Sequence, residues 1–556
     1  MNTDVKPAVL LPTFAATDDR PVTLGVLGGG QLGLMFVHAA QRMGYRTAVL
    51  DPDPTSPAGL VSHHHLLADY DDAQALASMA RLCDAVTTEF ENVPAESLRV
   101  LSQRNPVSPA AEAVAVAQDR LVEKAHFQTS AAQSAGAAAV GPVPYAPLRE
   151  AVDLEAVDAS LFPAILKTAR MGYDGKGQVQ VASREALAAA WADLNHVTCV
   201  VEKRLDLVAE CSVVVARGRD GACVHLPLQV NTHVGGILAR TEVFSDNLDA
   251  DLSARAIQAA EAIAETLRYV GVLCVEFFVV KQGDGTLGLV VNEMAPRPHN
   301  SGHYSIEACD LSQFDLQVRT MTGLPLSEPR LHSAAVMLNL LGDIWLNTGE
   351  LRTPAWDHVL ALPGTHLHLY GKLEARVGRK MGHLTITAST IEAARQVAEE
   401  AEHGVGEPPR QPALPLLEEE VGGVAEAPGL QEELRGPHPL APGQGRLRRP
   451  GEEAPGLPFG KEGLEGAPHQ GVEADAPLPP FQKQVLGVRE EEGPFLLVHL
   501  PEEGEPGGPV QDLLGQGLPQ VGEKPLGALQ GELGPQALAH GEEDEPQPQG
   551  PAPDEA

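Results

Sequence analysis

Two glutamates within an otherwise apolar hairpin restrict the possible folds of this chain more than any other feature. The segments VLCVEFFVV and LGLVVNEM predict two strands joined by KQGDGT, and they carry Glu276 and Glu293. If Asp284 and Gly285 form a two-residue type I′ turn, Glu276 lies directly opposite Glu293. Facing carboxylates repel, and burying both among apolar side chains is costly. The hairpin therefore predicts Mg²⁺ between them, held also by phosphate oxygens, unless the register differs or both glutamates face solvent.

A polar loop follows the second strand directly. The sequence APRPHNSGH contains five side chains able to bind or orient an anion: Arg297, His299, Asn300, Ser301 and His303. Its prolines stiffen the start of the loop, and its glycine allows a turn. Beside a metal site such a loop can hold a small anion and orient a group transfer. The alternative interpretation is a polar surface turn.

Two further segments offer cations for phosphate groups. In MGYDGKGQ, residues 171–178, three glycines supply flexible backbone amides and Lys176 adds charge. Lys167, on the predicted strand FPAILKT, can reach the same phosphates. The segment indicates a nucleotide site, because a plain glycine-rich hairpin turn would not need flanking lysines. The basic segment KLEARVGRK, residues 372–380, could bind another phosphate or simply form a solvated face.

Near the N-terminus, a glycine motif opens a predicted β-α-β unit. Gly28, Gly30 and Gly33 follow the strand VTLGVLG, and Asp51 ends the next strand. This spacing matches a dinucleotide-binding fingerprint, although nothing downstream resembles a dehydrogenase site. The alternatives are a turn that lets helix and strand pack closely, or a small-ligand site at the helix N-terminus.

Composition narrows the classes of partner. The 556-residue chain has a net charge of −35, which argues against non-specific nucleic-acid binding. No apolar run approaches the roughly 18–20 residues needed to span a bilayer. Six scattered cysteines without a CxxC pair indicate a reducing, cytoplasmic setting.

The composition changes near Gly404. Before it, strand-like and helix-like periods alternate, as in an α/β protein. Residues 404–556 hold 28 acidic and 9 basic residues in a mixture rich in Pro, Gly, Glu, Gln and Leu, without any Ser, Thr, Asn or Ile. Two interpretations stay open: a disordered acidic tail, or a wrong-frame translation that follows a frameshift near codon 400.

Six motifs, in this order, resemble those of N5-carboxyaminoimidazole ribonucleotide synthetases. They are GGGQLG, EFENVP, DRLVEK, MGYDGKGQ, VNEMAPRPHNSGH and GRKMGHL, and they lie within about residues 22–400. A related ATP-grasp formyltransferase has a similar APRPH segment, but the continuation HNSGH favours the carboxylating family. The resemblance implies carboxylation of 5-aminoimidazole ribonucleotide with ATP and bicarbonate, with Mg²⁺ as the cofactor and no NAD. It also implies a cytoplasmic homodimer that binds neither nucleic acid nor membrane.

The resemblance implies a fold class and domain boundaries. The fold is α/β (α+β): an ATP-grasp fold with an N-terminal doubly wound parallel-sheet domain and a small C-terminal β-rich domain, followed by a disordered tail. The implied segments are a disordered extension (1–20), a Rossmann-like pre-ATP-grasp domain (21–126), the ATP-grasp domain (127–325), the small C-terminal domain (326–402) and the acidic tail (403–556).

The motif matches imply a role for individual residues. Bicarbonate and carboxyphosphate would contact the catalytic residues Arg297, His299 and Asn300, and Mg²⁺ would bind Glu276 and Glu293. ATP would contact Arg120, Lys167, Gly172, Tyr173, Asp174, Gly175, Lys176, Gly177, Gln178, Glu202, Lys203, Arg204, Leu205, Glu210, Asn292 and Glu293. The ribonucleotide and its phosphate would contact Gln31, Tyr173, Asp174, Lys176, Lys372 and Arg379.

Other functions remain open at this point. Within the same fold, the chain could be a formate-dependent ribonucleotide transformylase or a biotin-linked enzyme. From other classes, it could be an NAD-dependent reductase or a catalytically inactive binding protein.

Overall fold

A computed structural model describes residues 9–12, 20–172, 177–347 and 350–406. Most of the predicted extension, most of the predicted tail and the centre of the glycine loop, 173–176, lie outside these ranges. In the described ranges, no helix is long and apolar enough to cross a membrane.

The first part of the chain is a parallel α/β unit. Its elements are β1 (Thr23–Leu27), α1 (Gln31–Arg42), β2 (Arg46–Leu50), α2 (Pro57–Val61), β3 (His64–Leu66), α3 (Ala73–Leu82), β4 (Ala85–Thr88), α4 (Ala95–Ser102), α5 (Ala111–Ala117) and α6 (Arg120–Gln133). The strands pair in parallel in the order β3-β2-β1-β4. Leu24 and Val26 pack with α1 on one face, and Leu27 packs with α3 on the other. Helices therefore cover both faces, which confirms the predicted doubly wound sheet.

A small antiparallel sheet follows. Its elements are β5 (Tyr145–Leu148), α7 (Asp153–Ala156), β6 (Ala164–Thr168), β7 (Gln178–Val181), α8 (Arg184–Asp193) and β8 (Cys199–Lys203). The strand order is β5-β8-β6-β7. Leu166 and Val201 pack against Trp191 of α8, so helix and sheet share one apolar core. This arrangement brings Lys167 and Glu202 to neighbouring strands.

The remaining elements form one larger sheet with its helices, apart from a separate pair of short strands, Leu346–Asn347 and Glu350–Leu351. They are β9 (Leu207–Arg217), β10 (Cys223–His225), β11 (Gln229–Val234), β12 (Ile237–Val243), α9 (Ala250–Thr266), β13 (Gly271–Lys281), β14 (Leu287–Ala295), α10 (Ser305–Ala308) and α11 (Gln313–Thr322). Next come β15 (Ala334–Leu341), β16 (Leu346–Asn347), β17 (Glu350–Leu351), α12 (Trp356–Leu360), β18 (Thr365–Leu369), β19 (Lys380–Ala388) and α13 (Ile391–Gly406).

The large sheet joins the predicted ATP-grasp and C-terminal regions. In the described part of the chain its order is β14-β13-β9-β11-β12-β15-β19-β18, with β10 beside β9. Val213 and Val215 pack against α9 on one face, while Val214 and Ala216 pack on the other face in a cluster that includes α11. Helices and sheet strands thus enclose two apolar layers, and β13 and β14 lie at the sheet edge.

The β13–β14 hairpin reaches the predicted register by an unpredicted route. Lys281 pairs with Leu287, so the connection is the five-residue loop 282–286, and the predicted two-residue Asp284–Gly285 turn is wrong. Farther along, Phe277 pairs with Val291 but Glu276 pairs with Glu293. A β-bulge at Asn292 therefore absorbs the one-residue offset of the longer loop. The predicted facing of Glu276 and Glu293 is confirmed.

Both ends of the described chain differ from the expected disorder. Leu10 lies within the predicted extension, yet its amide donates to Thr322 and its carbonyl accepts from Tyr45. At the other end, α13 continues to Gly406, four residues into the segment predicted as the acidic tail (403–556). Val405 packs into the core of the C-terminal strands, and Arg352 donates to its carbonyl. The apolar spacing of Ala398, Ala401 and Val405 explains why the helix continues.

Candidate active site

A cavity of about 560 Å³ brings together most of the predicted site residues. Those that line it are Gln31, Arg120, Lys167, Gly172, Gln178, Glu202, Lys203, Arg204, Leu205, Glu210, Glu276, Asn292, Glu293, Arg297, His299 and Asn300. Tyr173, Asp174, Gly175 and Lys176 lie outside the described residues. Gly177, Lys372 and Arg379 are described, but they do not line the cavity.

Each carboxylate of the facing glutamate pair has its own cation. Arg120 lies 2.7 Å from Glu293, and His299 Nε2 lies 3.1 Å from Glu276. Burial opposes protonation of His299, but Cys274 and Glu276 raise its pKa to about 10. Burial also disfavours the charged Glu293, yet Arg120 and Lys167 lower its pKa to about 2. The protein's own cations thus relieve the repulsion for which the sequence argument invoked a metal ion.

Asn292 adds an oxygen beside this pair. It occupies the β-bulge, and its Oδ1 is buried with no hydrogen-bond partner among the described residues. A buried acceptor without a donor is unfavourable unless a ligand satisfies it. In the described ranges, this site included, no group of three or more His, Cys, Asp or Glu could hold a metal ion. A cation here would therefore rely on two carboxylates, an amide oxygen and oxygens of a ligand.

A buried ion-pair network lies at the end of the cavity that Lys167 lines. Glu202 is 2% exposed, and its two oxygens lie 2.8 Å from Lys124 and 2.6 Å from Lys167. Burial acts against ionisation, but Lys167 and Lys124 lower the pKa of Glu202 to about 2. Because both oxygens hold lysines, any contact between Glu202 and an adenine would use its backbone.

The polar loop after β14 is anchored on both sides. Arg297 pairs with Glu91 of the first α/β unit at 2.7 Å. His299 Nδ1 lies 2.9 Å from Ser301 Oγ, which lies 2.8 Å from Ser212 Oγ. Asn300 Nδ2 is buried and has no partner within the described ranges, so it can still donate to a ligand.

The first glycine motif binds the protein's own carboxylates. The Gly29 amide donates to Asp51 Oδ2 at 2.7 Å, and the Gly30 amide donates to Glu89 Oε2. Burial raises the pKa of Glu89 to about 7, against the opposing effects of the Gly30 amide and Lys372. In a dinucleotide site these amides would face a pyrophosphate, so their hydrogen bonds to carboxylates argue against the dinucleotide interpretation of the motif.

The basic segment after β18 contributes differently from the prediction. Lys372 donates to the Lys380 carbonyl at 2.8 Å, and Arg379 donates to the Glu374 carbonyl at 2.8 Å. Lys380, rather than either predicted residue, lines the cavity. Lys372 nevertheless lies near enough to Glu89 to lower its pKa, although burial dominates that shift. Sequence spacing alone does not reveal which side chain of such a loop turns inward.

Several cavity residues received no predicted role. They are Glu89, Glu91, Glu123, His233 and Lys380, which line the cavity. Lys124 is fully buried and also received none. Glu89 and Glu91 belong to EFENVP, and Glu123 and Lys124 belong to DRLVEK. On a helix, positions three and four residues apart share a face, so the spacing of Glu123 and Lys124 from Arg120 was an available signal. His233, 2.8 Å from Glu210, lies in a hairpin with no sequence signal of its own.

Three family models match successive parts of the chain. They describe a ribonucleotide synthetase preATP-grasp domain (residues 22–118), an ATP-grasp domain (135–314) and a phosphoribosylaminoimidazole carboxylase C-terminal domain (335–397). The order of these models follows the order of the structural units along the chain.

A curated relative and two solved structures extend the comparison. The N5-carboxyaminoimidazole ribonucleotide synthase of Staphylococcus aureus strain COL is 39% identical over 378 residues, which are 67% of this chain and 95% of the relative. A Staphylococcus aureus N5-carboxyaminoimidazole synthetase complexed with ADP aligns with a TM-score of 0.62 at 35% identity, covering 71% of this chain and all of that one. An Aspergillus clavatus N5-carboxyaminoimidazole synthase in complex with ADP and 5-aminoimidazole ribonucleotide aligns with a TM-score of 0.61 at 29% identity, covering 69% and 98%.

Proposed function

Because this chain belongs to the N5-carboxyaminoimidazole ribonucleotide synthase family of ATP-grasp ligases, we propose that it makes N5-carboxyaminoimidazole ribonucleotide in purine biosynthesis. The substrates are 5-aminoimidazole ribonucleotide, ATP and bicarbonate, and the other products are ADP and phosphate. One structural observation carries the proposal. A single cavity is lined by Lys167, the Glu276–Glu293 pair and the loop with Arg297, His299 and Asn300, as a coupled phosphoryl and carboxyl transfer requires.

Magnesium is part of the proposal. Glu276 and Glu293 would hold it, with Asn292 Oδ1 as a further oxygen, and this hard oxygen set fits Mg²⁺. When bound with ATP, the ion would neutralise charge on the phosphates. Arg120 pairs with Glu293 and donates to the Gly172 carbonyl, so it links the carboxylate pair to the glycine loop.

The chain's own residues account for the binding and orientation in each step. Bicarbonate oxygen attacks the γ-phosphorus of ATP, the bond to ADP breaks, and carboxyphosphate forms. Lys167 would balance charge on the transferred phosphoryl group, and Arg297, His299 and Asn300 would hold the bicarbonate. Carboxyphosphate then releases CO₂ and phosphate, and the substrate amine adds to CO₂ and loses a proton. The glycine loop, residues 171–178, would exclude water during this interval.

The ribonucleotide site and the assembly state complete the proposal. Gln31 lies at the start of α1 in the cavity, and Lys372 and Arg379 would approach the substrate phosphate from the basic segment. Both side chains at present donate to backbone carbonyls of the same segment. We expect a cytoplasmic protein, since all six cysteines are free thiols. The family resemblance implies a homodimer, and analytical ultracentrifugation tests its mass.

The function is tested by comparing ADP release after addition of bicarbonate with ADP release after addition of formate. In carbonate-depleted buffer with Mg-ATP and 5-aminoimidazole ribonucleotide, added bicarbonate should start ADP release and added formate should not. Mass spectrometry with labelled bicarbonate should detect the carboxylated ribonucleotide. Glu293→Gln should abolish both signals. Stimulation by formate, or bicarbonate-dependent ADP release retained in Glu293→Gln, would overturn the assignment.

A further inference from the structure

We propose that Glu123 and Lys124 are positioning residues that fix the bulge in β14 and thereby bring Glu293, rather than Asn292, opposite Glu276. The proposal rests on the Mg²⁺–nucleotide site proposed above and assigns the register of that site to a neighbouring helix. Neither residue has to touch the nucleotide or the metal ion to perform this role.

The two side chains hold the backbone on both sides of Glu293. Lys124 Nζ donates to the Asn292 carbonyl at 3.0 Å, and Glu123 Oε1 accepts from the Met294 amide at 2.8 Å. Lys124 is fully buried and Glu123 is 2% exposed. The contacts therefore form inside the protein, where backbone groups require partners.

Helix α6 delivers both contacts and the cation of Glu293 from one face. The Asp119 side chain caps the helix through the Leu121 amide at 3.1 Å. Arg120, Glu123 and Lys124 are spaced three and four residues apart, so they project to the same side. Arg120 pairs with Glu293 itself, and its two neighbours hold the flanking peptide groups.

The bulge matters because a one-residue slip in a β-ladder turns every side chain to the other face. From Lys281 to Phe277 the pairing follows a register that, if continued, would set Asn292 opposite Glu276. Glu293 would then pair with Val275 and point away from Glu276. The observed bulge avoids this outcome. Because β14 is the edge strand of the sheet, its outward-facing backbone groups need partners from outside the sheet. Glu123 and Lys124 supply partners at that point.

Lys124 also connects the bulge to the end of the cavity that Lys167 lines. Its ammonium group lies 2.8 Å from Glu202, whose other oxygen lies 2.6 Å from Lys167. Removing Lys124 should therefore disturb both the carboxylate pair and Lys167. Removing the Glu123 acceptor should disturb only the carboxylate pair, and this difference separates positioning from a general loss of stability.

Metal and nucleotide binding provide the test. Mn²⁺ affinity is measured with saturating ADP by electron paramagnetic resonance, and ADP affinity is measured calorimetrically in EDTA. Glu123→Leu should weaken Mn²⁺ binding about tenfold, the usual effect of losing a group that orients a metal ligand, with ADP affinity in EDTA little changed. Glu123→Gln keeps an acceptor oxygen and should recover most of that loss. Lys124→Met should weaken both affinities.

Val122→Ala is the matched control, because Val122 lies in the same turn but is 47% exposed. It should leave both affinities unchanged. A folded Glu123→Leu protein with wild-type Mn²⁺ affinity would overturn the proposal, as would equal losses in the Leu and Gln variants.

Residue-resolved hydrogen exchange on the wild-type protein gives an independent readout. The Met294 amide should exchange much more slowly than amides of the exposed loop 282–286. Equally fast exchange would overturn the proposal even if Glu123→Leu fails to fold. Absence of any Mn·ADP binding by the wild type would instead refute the proposed function, and exchange at Met294 would still decide the role of Glu123.

Discussion

Glu91 and Arg297 form an ion pair of 2.7 Å across 206 residues of chain. Burial works against both charges, but Arg297 lowers the pKa of Glu91 and Glu91 raises that of Arg297. A carboxylate of the first α/β unit therefore orients a guanidinium that belongs to the loop after β14.

Glu91→Gln should impair bicarbonate use more than ATP use. Without the charged partner, Arg297 loses its preferred orientation, so we expect the KM for bicarbonate to rise about tenfold while the KM for ATP changes little. Steady-state ADP formation measures both constants. Asp310→Asn is the control, because it removes the partner of the exposed Arg330 and should change neither constant. An equal rise in both constants would contradict the proposed orienting role.

Glu202→Gln should strongly destabilise the fold at neutral pH. The substitution leaves Lys124 and Lys167 without their buried counter-charge, which typically costs about 3–5 kcal/mol. Lys167 and Lys124 lower the pKa of Glu202 to about 2 despite burial, from 4.5 in the unfolded chain. The stabilisation by the charged group is therefore complete above about pH 4.5 and lost as pH falls towards 2.

Urea denaturation at pH 7 and pH 3 measures this difference. The free energies of unfolding of wild type and Glu202→Gln should converge at the lower pH. Glu399→Gln, at an exposed position of α13, should stay close to wild type at both. A difference that is the same at both pH values would argue against the charge-based stabilisation.

The contribution of Glu123 to folding stability should show the opposite pH dependence to that of Glu202. Burial raises its pKa to about 8, although Arg120 and Lys124 oppose the shift. Between about pH 4.5 and 8 the folded protein binds the extra proton, so its stability falls with rising pH by at most about 1.4 kcal/mol per pH unit from this group. The stability of Glu123→Gln relative to wild type should therefore increase from pH 5 to pH 8. Denaturation midpoints that shift in parallel for both proteins would refute the prediction.

Two truncated proteins that end only four residues apart should differ in thermal stability. A chain ending at residue 406 retains all of α13 and every residue proposed for the site, so it should keep its thermal midpoint and ADP formation. A chain ending at residue 402 loses buried Val405, whose burial contributes roughly 1.5–3 kcal/mol. We expect a lower midpoint for that protein in calorimetry. Equal midpoints would show that the end of α13 contributes nothing to stability.

Nicotinamide nucleotides should not bind the first glycine motif. The Gly29 and Gly30 amides already donate to Asp51 and Glu89, which would repel a pyrophosphate. Fluorescence titration with NADH should show no saturable signal, whereas a fluorescent ATP analogue should saturate. Saturable NADH binding that ATP does not displace would revive the reductase interpretation.

The hairpin illustrates how far the sequence argument reached. Apolar runs located β13 and β14, and the assumed Asp284–Gly285 turn placed Glu276 opposite Glu293. The predicted two-residue turn was wrong, because the strand pairing ends at Lys281 and Leu287 and leaves five residues in the loop. The bulge at Asn292 then corrects the resulting one-residue offset in the pairing. The one-residue error in the turn and the unpredicted bulge cancelled, so Glu276 faces Glu293 although the predicted turn is wrong.

The distant partners of the site were not predictable in the same way. Motifs identified Arg297, His299 and Lys167, but their partners Glu91, Glu276 and Glu202 come from other strands or loops. Such pairs depend on how separate sheets stack, and one sequence without an alignment carries no direct record of that. Lys380, which lines the cavity, was not singled out from the sequence, where it is one of several cations in the same basic segment.

The large sheet has a consequence for recombination between relatives. β12 pairs with β15 through four residue pairs, from Arg240–Leu338 to Val243–Ala335, so the C-terminal strands continue the sheet that carries Glu276. In a chimera whose C-terminal segment comes from another species, the new β15 would have to pair correctly with β12, and the segment would also have to pack its own core. Calorimetry of such chimeras should show one unfolding transition if β12 and β15 pair normally. It should show two unfolding transitions if the pairing of β12 with β15 is lost.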